Sequence, residues 1–112
     1  MTTKELIEEI DRYVGDNPKL LKEGMRSWTT SLSEGIVSLL GIRENSLVFV
    51  LEEYDYSDNF VTLGFIRHCA VFFPDDTEVL VVVESDNDYD DEDVYYSSGC
   101  NEMCGWLSIS TF

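Results

Sequence analysis

With 112 residues, 44% hydrophobic and 12% aromatic, the chain has enough apolar material for one packed core, which excludes global disorder and predicts a single domain over 1–112. Its formal net charge of −16, from 23 Asp and Glu against 7 Lys and Arg, excludes ordinary binding to nucleic-acid phosphates or anionic lipid. No apolar run approaches the ~20 residues of a membrane span, and the opening Met-Thr-Thr-Lys-Glu-Leu-Ile-Glu-Glu lacks the apolar stretch of a signal peptide, so a cytoplasmic protein is expected.

Thr2 and Glu5 have the spacing of a capping box. Leu6, Ile7, Ile10, Tyr13 and Val14 then share one helical face, and Gly15 supplies the stop. Asn17-Pro18 restarts the chain as an N-cap followed by a first helical proline. The apolar rhythm of Leu21, Met25, Trp28, Leu32, Ile36 and Leu39/Leu40 predicts a second helix. It breaks near residue 29 at Thr-Thr-Ser, resumes over 32–40 behind a second capping box at Ser31 and Glu34, and ends at Gly41.

From Ser46 the texture changes to short β-branched or aromatic runs, 47–51, 60–66, 70–73, 79–83 and 106–112, each bounded by turn residues. The stretches 56–59 and 74–77 are spaced for hairpins, and 60–73 reads as one long strand with Gly64 at a bend. The expected fold is α+β. Two to three N-terminal helices within 1–41 pack on one face of a four- to five-stranded, mainly antiparallel sheet over 46–112, which carries an acidic loop at 84–93. No internal repeat is visible.

Catalytic patterns are scarce. His68 is the single histidine, and as a strand neighbour of Cys69 it would point to the opposite face, a poor dyad. There is no Gly-rich phosphate loop, nucleophile elbow or metalloprotease motif, so no enzymatic activity and no cofactor are expected. Cys100 and Cys104, with Cys69 and His68, are weak candidates for a zinc set; reduced, structural thiols fit the odd cysteine count better. Asp86, Asp88 and Asp90 match the first, third and fifth positions of an EF-hand loop, but Asp91 stands where glycine is needed and Ser97 where the bidentate Glu belongs.

What remains is the charge. Residues 1–50 carry eight acids and six bases, whereas 51–112 carry fifteen acids against Arg67 alone. One cluster holds Glu52, Glu53, Asp55 and Asp58; a second holds Glu84, Asp86, Asp88, Asp90, Asp91, Glu92 and Asp93; a third holds Asp75, Asp76 and Glu78. The first two follow predicted strands, so a meander would bring them to the same edge of the sheet and leave the third at the opposite end. Tyrosines are interleaved, with Tyr89 and Tyr95 in or beside the longest run, and tyrosine gives contact area with a hydroxyl at low entropic cost. On an extended chain, like-facing carboxylates recur every ~6.7 Å. That scale is comparable to phosphate spacing on a nucleic acid, and arginine grips either anion bidentately.

In size, charge and lack of a catalytic motif the chain resembles phage counter-defence proteins, including anti-CRISPR proteins and other DNA mimics, and less closely the acidic immunity proteins that neutralise nuclease toxins. The resemblance is one of composition. It implies an inhibitor that offers carboxylates in place of phosphates to an Arg/Lys-rich nuclease or other nucleic-acid-binding effector, acting in the host cytoplasm if phage-encoded. Two other readings stand beside it. One is an assembly subunit, a homodimer included, that uses an apolar helix face over 28–40 or the edge of the last strand, with the charge serving solubility. The other is a small metal-binding module.

Overall fold

A computed structural model of the chain describes residues 1–28, 34–53, 60–83, 93–103 and 105–111. Helix α1 (Thr3–Val14) forms as its sequence pattern predicts. The Thr2 hydroxyl accepts from the Glu5 amide while the Glu5 carboxylate accepts from the Thr2 amide, and Gly15, at φ 50°, ends the helix. Asn17 and Pro18 open a single 3-10 turn (Pro18–Lys22) rather than a second α-helix.

The remaining elements overturn the expected layout. Strands β1 (Arg26–Trp28), β2 (Glu34–Arg43), β3 (Ser46–Glu53), β4 (Val79–Val83), β5 (Asp93–Met103) and β6 (Trp106–Thr111) close into a six-stranded mixed barrel. Helix α2 (Leu63–Ala70) lies where a strand was expected, and β2 lies where a helix was expected. Among the described residues there is thus no helical half over 1–41, the sheet is not one continuous antiparallel meander, and the last strand has no free edge, because β6 pairs with both β5 and β1.

Local physics explains both reversals. Glu44 and Asn45, at φ 51° and 69°, form a two-residue turn that pairs Arg43 with Ser46 and zips β2 onto β3. Gly35 and Gly41, with β-branched Ile36, Val37 and Ile42, weaken the helical alternative over the same residues. In α2 the Thr62 hydroxyl accepts from the Phe65 amide, and Leu63, Ile66 and Ala70 fall on one buried helical face.

The barrel contains an internal repeat. Each half is a helix followed by a three-stranded antiparallel meander: α1 with β1–β3, then α2 with β4–β6. The halves join at two parallel seams, β3 with β4 and β1 with β6. Adding 60 to a residue number in α1, β2 or β3 gives its counterpart, so buried Thr3, Leu6 and Ile10 match buried Leu63, Ile66 and Ala70. For the first strands the shift is 54: Arg26 pairs with Ile36 and Ser108, as Leu80 pairs with Tyr96 and Val48. Each middle strand bulges at a serine, Ser38 in β2 and Ser98 in β5.

The bonds that join the helices to the barrel repeat as well. Val61 N donates to Val37 O at 3.0 Å and Met1 N to Ser97 O at 2.7 Å. Likewise Leu63 N donates to Glu23 O at 2.7 Å and Thr3 N to Thr77 O at 2.9 Å. Over these aligned elements only Thr2/Thr62, Ser38/Ser98 and Leu47/Leu107 are identical, which is why the sequence hides the repeat.

Alternate residues of the strands, among them Leu47, Phe49, Leu51, Val79, Val81, Val83, Leu107 and Ile109, meet Leu6, Ile10, Leu63 and Ile66 in one core. Each large apolar side chain buried there contributes ~1.5–3 kcal/mol. No helix among the described residues is long and apolar enough to cross a membrane.

Candidate functional site

The topology decides where the acidic segments leave the barrel. β3 and β4 run parallel with Leu51 opposite Val83, so the chain passes into Glu52–Glu53 and into residue 84 from the same end. β5 returns there at Asp93, paired with Val83, and β2 starts there, with Gly35 opposite Glu53. This end is the acidic rim. Of the first two clusters, only Glu52, Glu53 and Asp93 lie within described strands, and these share this end through parallel pairing and the α2 crossover rather than through hairpins.

The stretches 28–34, 52–60 and 83–93 hold twelve acids, Glu34 included, and no Lys or Arg. The rest of the chain holds the other eleven acids and all seven bases, so the −16 divides into −12 for the rim stretches and −4 for everything else. At the opposite end lie Glu78, which leads into β4, and the Glu44–Asn45 turn. Asp55, Asp58, Glu84, Asp86, Asp88, Tyr89, Asp90, Asp91 and Glu92 lie outside the described residues. Glu52, Glu53 and Asp93 are placed by their backbones in β3 and β5. Tyr95 is half-buried and packs against the core, whereas its neighbour Tyr96, 61% exposed, faces outward.

Away from the rim, the repeat generates two related grooves between a helix and the strands beside it. The first, of about 300 Å³, is walled by Leu40, Ile42, Phe65, Cys69, Phe72 and Phe73. The second, of about 270 Å³, is walled by their counterparts Cys100, Glu102, Glu9, Arg12 and Tyr13. The same architecture thus carries opposite chemistry. In the second groove Arg12 pairs with Glu9, and the Tyr13 hydroxyl donates to Glu23 Oε2 at 3.0 Å and lies 2.9 Å from Gly105 O. Burial, then the bond to the Glu23 carboxylate, pushes the Tyr13 phenol up to about 12. In the first groove Ile42 and Phe72 are 74% and 76% exposed, and His68 meets the Phe72 ring edge-on at 5.4 Å. Sequence reasoning did not anticipate this groove, because it assigned Phe65, Cys69 and Phe72 to strands.

The two described thiols, Cys69 and Cys100, do not converge. Cys69 belongs to the apolar groove and Cys100 to the polar one, while Cys104 lies outside the described residues. Burial pushes the Cys100 thiol up to about 12, which leaves it essentially free of thiolate at neutral pH. His68 and Cys69 are consecutive residues of α2, not of a strand. Among the described residues no group of three or more His, Cys, Asp or Glu is arranged to hold a metal ion. An ion pair ties the two helices together: Arg67 Nε lies 2.6 Å from Asp11 Oδ1, and this bond holds the Asp11 carboxyl below its usual range. No protein-family model matches the chain, and neither a curated protein nor a solved structure matches it.

Proposed function

We propose that this protein is an acidic binding protein that occupies the nucleic-acid-binding surface of a cationic partner and thereby inhibits it. The observation that carries the reading is the division of charge. Parallel pairing of β3 with β4 sends the chain into both acidic stretches from one end of the barrel, and neither stretch contains a Lys or Arg. A single-signed rim on a small rigid barrel concentrates the field, which speeds capture of a basic surface and repels nucleic acid itself. Carboxylates at that rim would take the bidentate arginine contacts that phosphates otherwise receive.

The partner this favours is an Arg/Lys-rich nuclease or other nucleic-acid-handling effector, the target class of DNA-mimicking counter-defence and immunity proteins. The test is affinity capture followed by competition. The captured protein should be released by added DNA or RNA and by raised salt. It should be lost when Asp88, Asp90, Asp91 and Asp93 are changed together to Asn. A partner that nucleic acid does not displace, or that survives the four substitutions, would sink the reading.

A further inference from the structure

We infer that the apolar groove between α2 and the β2–β3 hairpin is a second docking surface, built for an amphipathic basic segment of another protein. It lies apart from the acidic rim, and the inference does not depend on the function proposed for that rim. Phe65, Phe72 and Ile42 are 52%, 76% and 74% exposed and line one continuous depression, where a monomeric domain normally scatters its surface hydrophobes singly.

The repeat supplies an internal control. At the counterpart positions the barrel carries Glu5, Arg12 and Glu102, so its geometry does not demand apolar side chains there. Something other than folding accounts for them in the first groove. α2 closes one side of the groove and the end of β2 the other, which suits the apolar face of a helix or a short extended segment.

Charge selects the occupant. Past Ile42 and Phe73 the depression continues into a wider one, of about 550 Å³, walled by Asp76 and Glu78 as well. On α2, the Arg67 guanidinium is engaged by Asp11. A segment with apolar side chains on one side and Lys or Arg at its flank would bury the first against Phe65 and Phe72 and bring the second to Asp76, with Glu78 shared between it and the Met1 ammonium 3.4 Å away. Two copies of this chain meeting through the groove would instead bring together two bodies of charge −16, which disfavours self-association.

The probe is a synthetic peptide of Leu and Lys, about fourteen residues long, with its leucines on one helical face, titrated into the 15N-labelled protein and followed by NMR. Amide shifts should centre on Ile42, Phe65, Phe72 and Asp76. The double variant Ile42→Ser, Phe72→Ser changes only exposed side chains; it should keep the spectrum of a folded protein and bind about tenfold more weakly or worse. Asp76→Asn with Glu78→Gln should weaken binding several-fold at low salt. Shifts centred on Val83 and Val94 beside the rim, with an affinity indifferent to the Ile42 and Phe72 changes, would overturn the inference. So would concentration-dependent dimerisation in light scattering that Phe72→Ser abolishes, since the occupant would then be a second copy.

Discussion

Thr2 and Thr62 hold the same position in the two halves of the barrel. Each caps a helix, its hydroxyl accepting from the amide of Glu5 or Phe65. Each also pairs its backbone across to the other half, Thr2 with Glu78 and Thr62 with Gly24. A single residue thereby starts a helix and fixes it to the strand that the opposite repeat contributes.

Removing either hydroxyl leaves a first-turn amide without its acceptor. Thr62→Ala should cost ~1 kcal/mol and Thr62→Ser much less, because serine caps equally well. In a domain of this size that corresponds to a midpoint lowered by about 4 °C, measurable by thermal denaturation. Thr2→Ala should match Thr62→Ala in sign. If Thr62→Ala melts with the wild type, the cap is not holding α2 in place.

Gly24 makes a sharper case, since it sits where the two halves cross. A Cβ there would come within 2.7 Å of the Phe60 ring and 2.9 Å of Ile36 Cδ1, from two different elements. Both neighbours would have to shift to admit the methyl group, and Ile36 is buried, so Gly24→Ala should destabilise by ~1–3 kcal/mol. Gly99, in β5, has open space where its Cβ would stand, and Gly99→Ala should be nearly neutral. Urea midpoints of the two variants, compared at equal m-value, check the contrast.

These positions also show what was legible before any coordinates. The capping box at Thr2 and the stop at Gly15 act over a few residues, so α1 could be read directly. So could β3, β4 and β6, whose β-branched and aromatic runs lie between turn residues. β2 could not, because Ile36, Val37, Leu39, Leu40 and Ile42 satisfy both periodicities, and the Glu44–Asn45 turn that decides between them was not recognised. The run 63–70 is equally ambiguous, and the Thr62 cap that resolves it was missed. β5 hides behind polar residues such as Ser97, Ser98 and Asn101, which suit its place between two strands but not a composition rule. The acidic clusters were legible as composition. The parallel seam that starts both acidic stretches from one end was not legible, since it depends on α2.

Tyr13 links the polar groove to stability at high pH. Its phenol lies between Glu23 and Gly105, and burial raises it to about 12. A group that the fold holds protonated contributes fully below its unfolded value of ~10, and the contribution disappears as pH rises through the folded value. Stability should therefore fall between about pH 10 and 12. Tyr13→Phe should remove that dependence while costing ~1 kcal/mol at neutral pH from the lost hydrogen bond. Ultraviolet titration should find a tyrosine ionisation near 12 that Tyr13→Phe removes. If the titration curve is unchanged by Tyr13→Phe at its high-pH end, the contact does not persist in solution.

The charge division predicts how salt acts. Like charges in an excess of −16 repel one another across distances that salt screens, the screening length falling from ~10 Å at 0.1 M to ~3 Å at 1 M. Added sodium chloride should thus raise the thermal midpoint. The opposing effect is small, because ion pairs such as Asp11 with Arg67 are about half exposed and worth under ~1 kcal/mol each. Changing Asp88, Asp90, Asp91 and Asp93 together to Asn removes four like charges from the longest acidic stretch. The variant should melt at least as high as the wild type in low salt and gain less from added salt. If it melts lower, those carboxylates take part in native contacts that stabilise the fold, and their arrangement serves the barrel itself rather than a partner.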